Sequence, residues 1–213
     1  MLSKRLKAIY DVVPNSNRVI DVGCDHALLS ISLLKNNKAL EVIATDINEN
    51  ALSFAYKNKE KYKANNLIIN KTDGLSNIEL KKGDTIVISG MGTNTIIHIL
   101  KNASLDLIDN IVIQSNNNLY ELRKFVVENG FYIDYECVVK DKNKYYVIIK
   151  LKKGFKKYSI IDLYLGINKV IDKDYADYLI EKYSKLYNRI PYKSFIKKIK
   201  YRLLVYFIKK RKK

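Results

Sequence analysis

Acidic residues and a glycine are closely spaced near the start of the chain. Asp21, Gly23, Asp25 and His26 lie within or just after the β-branched run RVIDVGC at 18–24. Gly23 has no Cβ, so the backbone at this position can approach a ligand closely. The neighbouring carboxylates favour a ligand that carries positive charge. These residues therefore predict a binding site for a polar, cationic small molecule.

A further acidic residue, Asp46, follows Gly23 by 23 positions. Dinucleotide-binding folds place an acid about 20 residues after their glycine turn, where the carboxylate accepts hydrogen bonds from ribose hydroxyls. A dinucleotide is disfavoured here, because Asp25 stands in the place of the second glycine of G-x-G-x-x-G and would repel a pyrophosphate. S-adenosylmethionine fits better, since it offers a ribose to Asp46, an adenine to the region of Asp73, and cationic sulfonium and amino groups.

The elements that must position these residues alternate between strand and helix. Five β-branched runs, each followed by a turn or a segment with helical spacing, predict strands at 18–24, 41–46, 84–92 and 110–116, and a strand with its turn at 67–74. Gly130 ends the helix after the fifth strand, and two alternating strands joined by a hairpin around Asp141 to Lys144 follow. This order predicts an α/β fold with a Rossmann-like, doubly wound, mostly parallel sheet and an antiparallel pair at its end.

Polar residues also follow the later strands, at the carboxyl ends where open α/β sheets bind ligands. Asp73 and Gly74 follow the third strand, Ser89 to Gly92 the fourth, and Gln114 to Asn116 the fifth. We therefore expect one site at this edge of the sheet.

The positive charge is concentrated in the last part of the chain. The formal net charge is +17, of which residues 152–213 carry +14. Such a segment predicts a nucleic-acid partner, because lysine and arginine neutralise phosphates. A coding bias toward A- and T-rich codons is the alternative explanation of the charge, and a basic amphipathic helix lying on anionic lipid is the alternative function.

Helical spacing predicts that this segment forms two antiparallel helices on either side of Pro191. Their apolar residues should pack in a single seam made of Tyr175, Leu179, Tyr183, Leu186, Ile190, Ile196, Ile199, Leu203 and Phe207.

The composition excludes several classes of protein. Cys24 and Cys137 cannot form a disulfide framework, and no Cys/His cluster has zinc-site spacing, which favours a reducing cytosol. The N-terminus lacks the apolar core of a signal peptide, and the apolar run at 203–208 is too short to span a bilayer. We expect a folded, cytoplasmic, metal-free protein with neither membrane association nor an obligatory protein partner.

Several motifs together resemble one family. The run DVGCDHALL is the most specific of them, and the others are SKRL at 3–6, TDGL at 72–75, SGMG at 89–92, QSN at 114–116 and the hairpin segment KYYVII. In this order they resemble the bacterial tRNA (adenine-22-N1)-methyltransferase family over residues 3–151. The chain departs from that pattern at Thr93, where glycine is expected, at Ser115, where proline is expected, and at Asp46, often glutamate. Thr93 should narrow its loop, and the missing proline should leave the Gln-Asn loop less rigid.

The resemblance implies a Rossmann-like class I methyltransferase domain, predicted at residues 1–153, and a tRNA-binding helical hairpin, predicted at 154–213. It implies methyl transfer from S-adenosylmethionine to N1 of adenine 22 in tRNA, which gives 1-methyladenosine and S-adenosyl-L-homocysteine. The cofactor-binding residues are then Asp21, Gly23, Asp25, His26, Asp46, Ile47, Asp73, Gly74, Gly90 and Met91. The substrate-binding residues are Gly92, Gln114, Asn116, Lys4 and Arg5.

Asp25 and Asn116 are the predicted catalytic residues. N1 of neutral adenine has an in-plane lone pair, so no base is needed, but the product adenine is cationic. A carboxylate at Asp25 that accepts from the N6 amino group would stabilise the developing charge, while Asn116 and Gln114 hold the base edge. Structural alternatives are an N-cap role for Asp25 or Asn116, and a solvated N-terminal helix face for Lys4 and Arg5.

Two other functions remain open at this point. The acceptor could be rRNA or a small molecule, although a small molecule would not require so basic a tail. The chain could also be an RNA-binding protein that has lost catalysis.

Overall fold

The computed structural model describes residues 2–191 and 193–213, so Met1 of the predicted first domain and Tyr192 of the predicted tail lie outside the described residues. The strands are β1 (Ser16–Val22), β2 (Ala39–Asp46), β3 (Leu67–Lys71), β4 (Thr85–Met91), β5 (Asn110–Ser115), β6 (Phe131–Asp141) and β7 (Lys144–Lys153). The helices are α1 (Lys4–Val12), α2 (Leu28–Lys35), α3 (Glu49–Tyr62), α4 (Thr93–Lys101), α5 (Leu119–Glu128), α6 (Ile160–Leu165), α7 (Lys173–Arg189) and α8 (Phe195–Arg211), with a short 3-10 helix at Leu105–Leu107.

The strands form one seven-stranded sheet in the order β3-β2-β1-β4-β5-β7-β6 within the described residues. β1 to β5 pair in parallel, and β7 runs antiparallel to both of its neighbours. The predicted Rossmann-like sheet with a terminal antiparallel pair is confirmed. The predicted hairpin also occurs where expected, between Asp141 and Lys144.

Helices cover both faces of the sheet. Val87 of β4 and Val112 of β5 belong to a buried cluster with residues of α1, α2 and α3. Side chains alternate along a strand, so Ile86 and Ile88, which are also fully buried, point to the opposite face. The sheet is therefore buried on both faces, as expected for strands joined by helical crossovers.

The chain divides into two compact units, of which the first extends to Lys156 and the second runs from Lys157 to Lys213. The division lies three residues after the predicted boundary. The second unit contains α6, α7 and α8, whereas the sequence pattern distinguished only the last two helices. Asp162 of α6 receives hydrogen bonds from Lys169 at 2.6 Å and from Arg211 of α8 at 2.7 Å.

The predicted seam between α7 and α8 is partly wrong. Tyr175 and Leu179 of α7 are buried, but α8 buries Leu204 and Ile208 and leaves Leu203 exposed. Ile196 and Ile199, also predicted for the seam, are exposed as well. Apolar residues lie around most of the circumference of α8, so their spacing does not select one face. Arg211 also donates to the Gly166 carbonyl at 3.0 Å, so tertiary bonds set the rotation of the helix.

No helix within the described part of the chain is both long and apolar enough to cross a membrane.

Candidate active site

The candidate site lies where β1 and β4 meet in the sheet. These strands are neighbours, but their following helices pack on opposite faces, which leaves a crevice at the carboxyl ends of the strands. A cavity of about 280 Å³ occupies this crevice. The predicted site residues that line it are Arg5, Asp21, Gly23, Asp25, His26 and Gly90.

The turn after β1 has unusual backbone geometry. Gly23, Asp25 and Ala27 have φ angles of 71°, 51° and 54°, in the left-handed region that favours glycine. A Cβ on Gly23 would lie 2.2 Å from Cε of Met91, so Met91 packs where a side chain would otherwise stand. Left-handed non-glycine residues often occur at functional sites, where the surrounding structure holds them.

The N-cap alternative for Asp25 is wrong. The N-cap residue of α2 is Ala27, and no side chain caps the start of that helix. The Asp25 side chain is instead 77% exposed, with Oδ1 at 3.5 Å from Nε2 of His26. The carboxylate of Asp25 is therefore available to a ligand.

Asp46 holds this turn from the neighbouring strand. Its Oδ2 accepts from the Asp25 backbone N–H at 3.1 Å, and its Oδ1 accepts from the Asn48 N–H at 2.9 Å. Each carboxylate oxygen has a further lone pair, so Asp46 can also accept from ribose hydroxyls. Asp46 does not line the cavity described above, and the following residue, Ile47, is exposed.

The loop after β3 is fixed but also lies outside that cavity. Gly74 has a φ of 60°, and a Cβ there would lie 2.7 Å from Cγ1 of Ile99. Oγ1 of Thr45 donates to the Gly74 carbonyl at 3.1 Å. Asp73 is exposed. The structure thus leaves Asp73 at the surface beside a tightly packed glycine.

Asp21 is a buried carboxylate that lines the cavity. Burial raises its pKa from 3.8 to about 6, against the opposing effect of a 2.5 Å hydrogen bond donated by Ser30, and the charge of Asp46 adds to the increase. The folded protein therefore keeps Asp21 protonated to a higher pH than usual. A cationic ligand would favour its ionised form.

His26 packs against a ring that the sequence analysis did not include. The imidazole stacks on Phe54 of α3, with the ring centroids 4.6 Å apart. Asn58, one turn later on the same helix, donates to the His26 carbonyl at 2.9 Å. α3 thus helps to hold the turn after β1.

The predicted substrate rim is a hydrogen-bonded network, and the role predicted for Gln114 is wrong. Gln114 is fully buried, so its amide cannot hold a base edge. Its Oε1 accepts from Nη1 of Arg5 at 3.0 Å and from the Gly90 N–H at 3.2 Å. Its Nε2 donates to Oδ1 of Asn116 at 3.1 Å, and Nδ2 of Asn116 donates to the Gly90 carbonyl at 2.7 Å. Asn116 is exposed, so a substrate can reach its amide, whereas that of Gln114 is inaccessible.

The cap alternative for Asn116 is also wrong, because α5 has Asn118 as its N-cap and no capping side chain. Gly92 is the N-cap residue of α4, and a Cβ there would meet Asn117 only at ordinary contact distance, 3.6 Å. Asn116 therefore does not cap α5, and Gly92 does not have to be a glycine for α4 to begin there.

Thr93 and Ser115, the residues near this rim that depart from the pattern expected of the family, contact each other. The hydroxyls of Thr93 and Ser115 are 2.9 Å apart, and the Thr93 N–H donates to Oδ1 of Asn117 at 3.0 Å. The hydroxyl pair joins the loop after β4 to the loop after β5. The expected loss of rigidity at Ser115 is therefore offset by hydrogen bonds.

Lys4 and Arg5 have different environments on α1. Lys4 is exposed, whereas Arg5 turns toward the cavity. A Cβ on Gly90 would lie 3.1 Å from Nη1 of Arg5, so the guanidinium packs against the glycine backbone. The alternative that Arg5 belongs to a solvated helix face does not match this inward position.

Several lining residues were missed by the sequence analysis. They are Leu6, Cys24, Leu28 and Leu29, whereas Ser89, which was expected at the end of the fourth strand, also lines the cavity. Most are apolar, and apolar residues beside a chemical motif cannot be distinguished from core residues by type. Burial raises the pKa of the Cys24 thiol, which makes it a poor nucleophile. No cluster of three metal-ligating side chains occurs among the residues described.

Asp21 should make the protein less stable as the pH rises. Its pKa is about 6 in the folded state and 3.8 ordinarily, so between these values the folded state binds more protons than the unfolded state, and the free energy of unfolding falls with pH. We expect Asp21→Asn to gain about 3 kcal/mol relative to wild type between about pH 4 and pH 7, measured by urea unfolding.

Asp106→Asn serves as the control for this measurement, because Asp106 is an exposed carboxylate. Its stability difference from wild type should be nearly constant over the same pH range. A parallel pH profile for Asp21→Asn and wild type would show that Asp21 titrates as an ordinary aspartate.

Comparison with known proteins places the chain in a family. The Methyltransferase domain family matches residues 2–149. The Bacillus subtilis tRNA (adenine(22)-N(1))-methyltransferase is 30% identical over 156 residues, which cover 72% of this chain and 66% of that protein.

Solved structures agree over nearly the whole chain. TrmK of M. capricolum in complex with the cofactor product S-adenosyl-homocysteine is 32% identical, with a TM-score of 0.84 over 99% of this chain and 97% of that one. A protein of the NADB-Rossmann superfamily from Streptococcus agalactiae is 30% identical, with a TM-score of 0.86 over 98% of this chain and 96% of that one. The chain is a member of the tRNA (adenine-22-N1)-methyltransferase family, as its motifs indicated.

Proposed function

We propose that the protein transfers a methyl group from S-adenosylmethionine to N1 of adenine 22 in tRNA and forms 1-methyladenosine. The observation that carries the proposal is a cavity at the β1–β4 junction, lined by two carboxylates and a glycine turn, in a member of this methyltransferase family. S-adenosylmethionine is cationic at its sulfonium and amino groups, so buried Asp21 and exposed Asp25 suit it.

The residues around the cavity fit the parts of S-adenosylmethionine. The turn that contains Gly23 and Asp25 lines the cavity and would contact the amino acid moiety. The second lone pairs of Asp46 can accept from the ribose hydroxyls. Asp73 and Gly74 remain our proposed contacts on the adenine side, together with Ile47. The bound group would supply the methyl, while the protein aligns N1, methyl and sulfur.

The acceptor base must leave its stack to present N1. N1 lies on the pairing edge of adenine, so the target has to be unpaired or extruded from the tRNA. Asn116 and the Gly90 carbonyl form the exposed rim on which the base would rest. Asp25 would accept from the N6 amino group and stabilise the positive charge that develops on the ring.

The second unit would bind the tRNA backbone. Residues 157–213 contain 16 lysines and arginines and five acidic residues, a net charge of +11. Many of the lysines on α8 are exposed. A polyanion gains affinity for such a surface through counterion release.

The direct test is a methylation assay. Unmodified total tRNA is incubated with the protein and S-adenosylmethionine labelled in its methyl group, digested to nucleosides and analysed by mass spectrometry. We expect label in 1-methyladenosine, at one position when the product is mapped by primer extension. Label in another nucleoside, or none in tRNA, would contradict the proposal. Calorimetry with S-adenosylmethionine then distinguishes the two alternative functions. A methyltransferase with a different acceptor still binds the cofactor, whereas an RNA-binding protein that has lost catalysis gives no heat of binding.

Asp25→Asn should slow methyl transfer far more than it weakens cofactor affinity. Asparagine tolerates the left-handed backbone of this position, so the substitution removes the charge and preserves the turn. We expect kcat to fall about tenfold or more, because a carboxylate that stabilises the cationic product is lost. Glu60→Gln, an exposed substitution on α3, is the control. A normal kcat for Asp25→Asn would exclude Asp25 as a catalytic residue.

Replacing three exposed lysines of α8 should weaken tRNA binding. We expect Lys197→Gln, Lys209→Gln and Lys210→Gln together to lower the slope of log affinity against log salt concentration by about two. Fluorescence anisotropy with labelled tRNA at several salt concentrations gives the slope. The matched control replaces Lys81, Lys82 and Lys101, which are exposed in the first unit. Equal slopes for the two triple variants would exclude a special role for α8.

A further inference from the structure

Arg5 is a cationic residue that lines the cavity, and its guanidinium donates a hydrogen bond to a neutral amide. Nη1 donates to Oε1 of fully buried Gln114 at 3.0 Å. The backbone of Arg5 is tied down separately, since its N–H donates to Oδ2 of Asp141 at 3.0 Å. The guanidinium also lies over the ring of Tyr146, 5.5 Å from its centroid, and against Gly90. These contacts hold the guanidinium on the inner side of α1.

Two donors fix the orientation of the Gln114 amide. Arg5 Nη1 and the Gly90 N–H can donate hydrogen bonds but cannot accept them. The atom of the Gln114 amide that faces them must therefore be the acceptor, Oε1. Both lone pairs of that oxygen are then used. The NH₂ group of Gln114 consequently points to Asn116 and is buried from solvent.

The Gln114 amide in turn orients Asn116. Because Nε2 of Gln114 donates, the atom that receives it must be Oδ1 of Asn116, at 3.1 Å. Nδ2 of Asn116 then faces the Gly90 carbonyl at 2.7 Å. The three residues form a closed ring of hydrogen bonds, and the backbone N–H of Asn116 adds a bond to the Met91 carbonyl at 2.9 Å.

We propose that Arg5 is a positioning residue, which acts through Gln114 to hold the Asn116 amide in the orientation that reads the N6 and N7 edge of the acceptor adenine. The inference rests on the proposed function. Oδ1 of Asn116 retains one lone pair and Nδ2 retains one hydrogen after the internal bonds are counted. An asparagine pairs with adenine by accepting from N6 and donating to N7. That pairing leaves N1 free for the methyl group.

The kinetic test compares Arg5→Ala, Arg5→Lys and Gln114→Glu with wild type on tRNA at saturating S-adenosylmethionine. Arg5→Ala should lower kcat about tenfold, and Arg5→Lys should recover most of the loss, because a lysine can still donate to Oε1. Gln114→Glu keeps an acceptor for Arg5 but has no hydrogen for Asn116, so it should lower kcat at least as much. Lys7→Ala, on the exposed side of α1, is the matched control and should behave as wild type.

The affinity for S-adenosylmethionine, measured by calorimetry, distinguishes this role from a role of Arg5 in cofactor binding. We expect a change of less than about twofold in each variant, which also shows that the first unit is folded. A large loss of cofactor affinity in Arg5→Ala with a normal kcat at saturation would assign Arg5 to the cofactor and overturn the proposal. A normal kcat in Gln114→Glu would overturn it as well. The activity of the wild-type protein on tRNA tests the proposed function. The ratio of the kcat of each variant to that of wild type tests the positioning role of Arg5.

The reading of the N7 edge has its own test. A tRNA with 7-deazaadenosine at the methylated position lacks the N7 acceptor but keeps N1 and N6. We expect wild type to methylate it about tenfold more slowly than the normal tRNA, and Arg5→Ala to discriminate much less between the two. Equal rates with wild type would contradict the proposed pairing.

Discussion

The hydrogen bond from the Asp25 N–H to the Asp46 carboxylate joins the two strands on which the cofactor half of the site is built. Three residues of the turn after β1 have left-handed backbone angles, and such a turn persists only when its surroundings hold it. β2 supplies that support through Asp46 and through the Thr45 carbonyl, which accepts from Gly23 and from Cys24. The acid suited to ribose therefore also maintains the shape of the pocket.

Buried charge is the second constraint on the site. Asp21 lies beneath the cavity, and its pKa is raised chiefly because burial disfavours the carboxylate. A cation bound in the cavity would favour the ionised form of Asp21. The expected loss of stability as the pH rises and the proposed affinity for a sulfonium-bearing donor would therefore have the same electrostatic origin.

The substrate half of the site depends on contacts between loops rather than on local stiffness. The resemblance led us to expect glycine and proline where this chain has Thr93 and Ser115. The two hydroxyls bond to each other across the loops after β4 and β5, so the departures compensate one another as a pair. The guanidinium of Arg5 occupies space that any side chain at Gly90 would require. The absence of a side chain at Gly90 of β4 therefore also makes room for a side chain of α1.

The amino-acid sequence by itself determined the sheet, most element boundaries and the chemical types at the strand ends, because hydrophobic periodicity and glycine positions act over a few residues. It also indicated the family through short motifs. Tertiary structure alone decided which polar residues line the cavity or are exposed. Gln114 and Asn116 are amides only two positions apart in the sequence, yet one is fully buried and the other exposed. Arg5 turns inward while Lys4 does not, and α8 buries Leu204 rather than Leu203, because such orientations depend on packing partners that are distant in the chain.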